Sequence, residues 1–216
     1  MPKTRKTAAM TAPTFELEEA HGGMVIGIDE AGRGCLAGPV VAAAAWINRK
    51  EFPPDLLALI NDSKKLSRAK REEIYTRLRT LPRDVFAFAF ARIEATEIDE
   101  INILQASLKA MKLAASRIAI PFNLALVDGN KTPDGLRAEA VIGGDAKSFS
   151  IAAASIVAKC EKDFALDEIG RKFPEYGFEK NAGYGTAVHM AALAKHGPCP
   201  EHRKTYAPVR AISTAS

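Results

Sequence analysis

Two adjacent carboxylates, Asp29 and Glu30, close the apolar run Val25-Ile26-Gly27-Ile28 and lead directly into a basic, Gly-rich turn, Ala31-Gly32-Arg33-Gly34. Ionised carboxylates cannot themselves attract a polyanion, so a divalent cation must stand between them and a phosphate; Mg²⁺ prefers such hard oxygen ligands. The glycines beside them leave backbone N–H groups exposed to hold a sugar or a phosphate. Two further acids punctuate the chain in the same manner. Asp128 closes Leu124-Ala125-Leu126-Val127 ahead of Gly129, and Asp145 follows Gly143-Gly144 at the mouth of a long helix. A carboxylate at the end of an apolar strand is costly to desolvate unless it is paired or metal-bound. One such residue is commonly a helix cap or turn former, and Asp145 alone reads that way. Several converging on one sheet edge point to metal-assisted phosphate chemistry.

The spacing sets a geometric condition. Neighbouring side chains on a regular strand point to opposite faces, so Asp29 and Glu30 share a site only where the strand ends or twists. A competing reading starts at the same place: Gly32-x-Gly34-x-x-Ala37 after a strand matches the dinucleotide-binding fingerprint and suggests an oxidoreductase. That motif opens a helix, whereas Gly38-Pro39 leads here into Val40-Val41-Ala42, which reads as strand, and two carboxylates would face the pyrophosphate.

Elements able to position these residues are legible along the 216-residue chain. Strands are expected at Met24–Asp29, Val40–Ile47, Val85–Ile93, Leu124–Val127 and Ala138–Ile142; Phe86, Phe88 and Phe90 alternate strictly in the third. Ser67 caps an amphipathic helix to about Thr80. Thr96-x-x-Asp99 resembles a capping box opening a helix that ends before Pro121, with Ile101, Leu104, Leu108, Met111, Ala115 and Ile118 as its buried stripe. Residues 147–171 form a third helix with a deeply packed Ala-rich start, and Ala187–Lys195 a fourth. Strands followed by alternating helices and strands indicate an α/β fold, a mixed sheet with helices on both faces.

The size fits one domain over residues 23–210, with a flexible N-terminal extension at 1–22 and a tail at 211–216. Lys3, Arg5 and Lys6 supply +3 of the formal +4 net charge, leaving little for the rest, so any nucleic-acid contact must come from local clusters: Lys64-Lys65, Arg68, Lys70-Arg71 and Arg203-Lys204. No apolar run approaches the ~20 residues of a membrane span, and Met1 to Ala12 does not read as a secretory signal. Three scattered cysteines suggest a reducing, cytoplasmic setting. His196-x2-Cys199-x2-His202 has too few donors, wrongly spaced, for a zinc finger.

The motifs taken in order resemble those of bacterial ribonuclease HII, the type 2 ribonucleases H, from about Met24 to Val209. They are Gly27-Ile28-Asp29-Glu30-Ala31-Gly32-Arg33-Gly34 with Gly38-Pro39-Val40, Asp62-Ser63-Lys64-Lys65-Leu66-Ser67, and Ile101-Asn102-Ile103-Leu104-Gln105-Ala106-Ser107. Val127-Asp128-Gly129, Gly143-Gly144-Asp145-Ala146-Lys147-Ser148 and the run Ile151 to Lys159 follow, then Gly183-Tyr184-Gly185-Thr186 and His202-Arg203. The resemblance implies a ribonuclease H-like fold: a central five-stranded mixed sheet flanked by helices, with a helical C-terminal region. It implies Mg²⁺- or Mn²⁺-dependent endonucleolytic cleavage of RNA in RNA–DNA hybrids and of a lone ribonucleotide in duplex DNA. By position, Asp29, Glu30, Asp128 and Asp145 match the metal-binding acids. Gly32-Arg33-Gly34 matches the turn that reads the ribose 2′-OH, Tyr184 the tyrosine that packs on the adjoining sugar, and Ser63 and Lys64 a segment that contacts backbone phosphates. Two-metal hydrolysis needs no histidine base and leaves 3′-OH and 5′-phosphate ends. Lys162 stands where the family often has arginine, keeping the charge but losing the fork. The expected protein is a cytoplasmic monomer; a catalytically silent hybrid-binding protein is the remaining alternative.

Overall fold

The computed structural model describes residues 12–60 and 66–213; Ser63 and Lys64 lie outside the described residues. Five strands form one sheet: β1 (Val25–Ala31), β2 (Val40–Ile47), β3 (Phe86–Ile93), β4 (Leu124–Asp128) and β5 (Ala138–Val141), in the order β3-β2-β1-β4-β5. β1 is antiparallel to β2 and parallel to β4; β2–β3 is antiparallel and β4–β5 parallel. The helices are α1 (Glu16–His21), α2 (Pro54–Leu59), α3 (Arg68–Thr80), α4 (Ala95–Arg117), α5 (Phe149–Lys172), α6 (Phe178–Asn181), α7 (Ala187–His196) and α8 (Ala207–Ser213).

Period-two alternation in β3 splits its side chains between two cores. Phe86, Phe88 and Phe90 pack with α2, α3 and α5 on one face, while Ala87, Ala89 and Ala91 pack with α4 on the other. Alanines 42 to 45 of β2 are fully buried between these layers. Small side chains there let both helices lie close to the sheet. The approach is tightest at Gly27, where a Cβ would stand 2.1 Å from the Ile151 backbone nitrogen. Only glycine lets the start of α5 rest on β1 beside the acids.

Three boundaries differ from the sequence expectation. The described part of the N-terminal extension is docked rather than free: Thr14 bridges to Ser148, Phe15 stacks 4.8 Å from Phe149, and Glu18 accepts from Ser148 Oγ and Ser150 N. That carboxylate complements the positive N-terminal end of α5. Phe15 and Leu17 alone are too short a pattern to announce a helix. The capping box at Thr96 does not form. α4 starts at Ala95, and Asp99 accepts instead from Lys204 N, Thr205 N and Thr205 Oγ1. α4 also breaks at Asn102, at φ 67°, whose side chain caps the second segment by accepting from Leu104 N and Gln105 N. Past this break the buried stripe runs through Ala106, Ala110, Met111, Ala114 and Ala115, leaving Leu104 and Leu108 half-buried. Finally, the supposed tail from 211 begins inside α8.

Candidate active site

The sheet order explains the meeting of acids. Pairing of β1 with β4 ends at Ile28–Val127, whereas pairing of β1 with β2 continues to Ala31–Val41. Asp29 and Asp128 each follow the last parallel pair, so they sit side by side at the carboxyl ends of two strands, where open α/β sheets bind ligands. Both acids of the Asp29-Glu30 pair lie within β1, past its last partner in β4, and both line one cleft of about 290 Å³ with Asp128. The geometric condition set by the sequence is therefore met without ending the strand.

The acids act on one another through their charges. Asp29 is buried, and burial first, then the charges of Asp128 and Glu30, pushes its carboxyl well above the usual range. Its Oδ1 accepts from Glu30 N at 2.7 Å. Burial raises Glu30 as well, opposed by Arg33, whose Nη1 donates to Glu30 Oε1 at 3.1 Å. Asp128 Oδ1 accepts from Gly144 N at 2.7 Å, which ties the turn after β5 to the end of β4. Asp145 is buried in the 3-10 turn Gly144–Ala146, next to that contact, but does not line the cleft with the other three. Among the described residues no three His, Cys, Asp or Glu side chains are already closed around one ion position. The donor set nevertheless suits a hard divalent cation: three oxygen ligands share one cleft, and their mutual repulsion is what a cation relieves.

The glycine turn lines the same cleft. Gly32 has φ +96° and a Cβ there would stand 2.9 Å from the Pro39 carbonyl, so the turn accepts no side chain. Leu36 N donates to Gly183 O, bringing Gly34 beside the Tyr184 ring, which is 42% exposed. Lys159 Nζ and Lys162 Nζ lie 5.5 and 5.2 Å from that ring's centroid, within cation–π range. Lys162 is fully buried, with Nζ 2.7 Å from Asp163 Oδ1, and packs under Gly32. Lys162 thus supports the glycine turn from beneath without itself lining the cleft. Lys159 lines the cleft with Ser155; burial and then the Lys162 charge bring its pKa down to about 8.

Ser155 and Lys159 were not singled out individually from the sequence. Their signal was there: Ser155 and Lys159, four apart within the apolar run of α5, share one helix face. The basic clusters fare differently. Arg68 pairs with Glu72 and Asp167, Lys70 with Glu73, and Arg71 with Asp163. Arg203 is fully buried. These charges stabilise the protein's own elements and form no open basic patch. The dinucleotide reading fails on geometry: Gly38-Pro39 opens β2, not a helix.

The family model "Ribonuclease HII" matches residues 26–209. A ribonuclease HII of Rhodospirillum rubrum is 51% identical over 199 residues, covering 92% of this chain and 90% of the relative. The solved ribonuclease H2 of Pyrococcus horikoshii OT3 superposes with a TM-score of 0.72 at 25% identity, covering 89% of this chain and 98% of that one. Bst-RNase HIII, solved in complex with Mn²⁺, shares the fold at TM-score 0.69 and 18% identity, over 89% of this chain and 70% of its own. Matched over nearly its whole length, with its five-stranded mixed sheet in common with solved ribonucleases H, the chain belongs to the ribonuclease HII family and is a ribonuclease H endonuclease.

Proposed function

We propose that this endonuclease hydrolyses the RNA strand of RNA–DNA hybrids and nicks on the 5′ side of single ribonucleotides in duplex DNA, leaving 3′-OH and 5′-phosphate ends. The observation that carries the reading is the shared cleft, lined by Asp29, Glu30 and Asp128 together with the Gly32-Arg33-Gly34 turn and Tyr184. The acids would hold Mg²⁺ or Mn²⁺, with Asp145 reached through the turn that bonds Asp128. The chemistry supplied by two such ions is activation of water and stabilisation of the leaving 3′ oxygen.

The chain's own residues do the rest. Ribose differs from deoxyribose only at the 2′-OH, and a turn stripped of side chains at Gly32 and Gly34 lets backbone groups approach it. Tyr184 offers its exposed face to the neighbouring sugar. Lys159, beside both the acids and the tyrosine, places a cationic head where a phosphate would enter. Ser63 and Lys64 are assigned to backbone phosphates by their motif. No histidine lines the cleft, and its carboxylates suit hydrolysis by a cation-activated water rather than attack by the 2′-OH. Three free, buried cysteines agree with a reducing cytoplasm. The protein is read as a monomer; no described helix is long and apolar enough to cross a membrane.

The test is cleavage of end-labelled duplex DNA carrying one ribonucleotide, and of a continuous hybrid, with Mg²⁺, Mn²⁺ or chelator, beside Asp128→Asn. Metal-dependent nicking lost in the variant supports the reading. An Asp128→Asn protein as active as wild type would move the reaction elsewhere, and binding without cleavage would favour the silent hybrid-binding alternative.

A further inference from the structure

Two histidines outside the cleft form a directed hydrogen-bonded chain that ends on Tyr184. His189 Nδ1 lies 2.9 Å from the Tyr184 carbonyl oxygen, His189 Nε2 lies 3.0 Å from His202 Nε2, and His202 Nδ1 lies 3.0 Å from the Cys199 backbone nitrogen. Both imidazoles are buried, at 0% and 1% exposure.

The two ends fix the protons. A backbone N–H can only donate, so His202 Nδ1 is an acceptor and its proton sits on Nε2. A carbonyl can only accept, so His189 Nδ1 carries a proton and Nε2 is bare. The middle contact then closes as His202 Nε2–H donating to His189 Nε2. The ends were assigned independently and agree, with both rings neutral; a charged ring on either side would set two N–H groups face to face at 3.0 Å.

The surroundings favour neutrality. The Tyr176 and Phe178 rings pack on both imidazoles, and the Cys199 thiol, 3.2 Å from His202 Nδ1, is pushed up to about 11 by burial. Glu201 and Glu175 act on that thiol from outside, Thr186 Oγ1 accepts from His189 N, and His196 lies beyond Tyr176. Among the described residues neither His189 nor His202 is ion-paired with a carboxylate.

We infer that His189 and His202 are positioning residues for the reaction: a neutral, one-directional pair that holds the Tyr184 carbonyl and so sets the tyrosine ring at the rim of the acidic cleft. The inference rests on the reading of Tyr184 as the group that packs on the sugar. Tyr184 lies in the short segment between α6 and α7 with its ring partly in solvent; its carbonyl also accepts from Thr186 N at 2.8 Å, and the His189 imidazole is the contact that ties it to the C-terminal segment. The same strap of chain serves the glycine turn, since Arg203, next to His202, donates to the carbonyls of Arg33 and Gly38.

The test has two arms on the full chain. Two-bond ¹H–¹⁵N correlation with ¹⁵N-labelled histidine at pH 7 reads tautomers directly. The expected result is a neutral His189 protonated on Nδ1 and a neutral His202 protonated on Nε2; a charged ring or the same tautomer on both overturns the inference. The second arm compares His189→Asn, whose amide nitrogen stands where Nδ1 stood, with His189→Gln, which reaches toward His202 but not toward Tyr184. Losing the carbonyl contact should lower kcat/KM on single-ribonucleotide duplex by about tenfold in His189→Gln, while His189→Asn stays within about threefold of wild type. Thermal midpoints should fall similarly in both. Equal activity losses, or none, overturn the positioning role while the nuclease reading stands. A wild type that cuts no ribonucleotide-containing duplex overturns both.

Discussion

The buried Arg203 guanidinium donates through Nη1 to the Arg33 carbonyl oxygen at 3.0 Å, so the C-terminal segment grips the turn that shares the cleft with the acids. Nε donates to Gly38 O at 3.0 Å, and the Tyr206 hydroxyl donates to the same Arg33 carbonyl at 2.8 Å. Among the described residues no carboxylate is ion-paired with Arg203; carbonyls and the Tyr206 ring, 5.3 Å away, offset its charge. A charge this deep is costly to bury and stays where it is because it bridges two carbonyls of one turn.

Arg203→Lys therefore keeps the charge and loses the bridge, since one ammonium cannot reproduce the fork. Stability should fall by about 2 kcal/mol as a buried carbonyl loses its donor. kcat/KM should fall more than stability alone requires, because the protein that remains folded has a looser turn. Urea unfolding and initial rates on one preparation check this; wild-type values for both would show that the turn holds itself.

Gly27→Ala tests the contact between α5 and β1. The added methyl meets the backbone of Ser150 and Ile151, at 2.2 and 2.1 Å, and backbone cannot rotate away. Overpacking of this kind should cost about 3 kcal/mol, and by lifting α5 it should move Ser155 and Lys159 away from Asp29. Equilibrium unfolding measures the first effect, and metal affinity of the folded fraction the second. A variant as stable as wild type would mean that the helix shifts freely on the sheet.

Much of this arrangement was legible before the fold was known, and the limits were physical. The five strands and the helices at Ser67, 147–171 and Ala187 were readable because capping hydroxyls and periodic apolar residues are local signals. Ser67 accepts from Lys70 N as expected, and Ser148 and Thr186, not named from the sequence, cap α5 and α7 in the same way. Asp29, Glu30 and Asp128 stood out because a charge ending an apolar strand is anomalous, whereas Asp145 read as a turn former and joined them only through the resemblance. What could not be read was pairing between distant segments. Asp99 looked like half of a capping box and instead bonds Lys204 and Thr205, more than a hundred residues on. Arg203 looked like part of a surface patch because charge normally means exposure, and its carbonyl partners are backbone atoms that leave no trace in side-chain pattern. The break at Asn102 turned an apparent stripe, since a single left-handed residue rotates everything after it.

Divalent cation should stabilise the protein through the cleft. Burial and the facing charges of Asp128 and Glu30 disfavour an ionised Asp29, so a cation relieves repulsion and displaces protons. At a hundredfold excess over Kd the gain should be about 2.7 kcal/mol. Thermal midpoints with Mg²⁺ or Mn²⁺, reversed by chelator, read it, and Asp128→Asn should lose most of it. Arg33→Gln should instead tighten binding severalfold, because Arg33 holds Glu30 Oε1 in the absence of an ion. A cation effect that survives in Asp128→Asn would place the ion away from these acids.

Acid should unfold the protein partly through His202. Burial first, then the neighbouring His189, lowers its pKa from the ordinary 6.5 to about 4. Between these values the unfolded chain binds more protons than the folded one, so stability rises with pH across that window. The contribution is fully present above the unfolded pKa and is lost as pH falls through the folded one. Carboxylates titrate in the same range, so the signature is a difference: the stability of His202→Phe should decline less steeply between pH 6.5 and 4 than that of wild type. The difference in slope should approach one proton per molecule, measured by urea unfolding at stepped pH. Parallel slopes would mean that His202 takes up its proton without leaving the fold, which the donor that Cys199 N already directs at His202 Nδ1 does not allow.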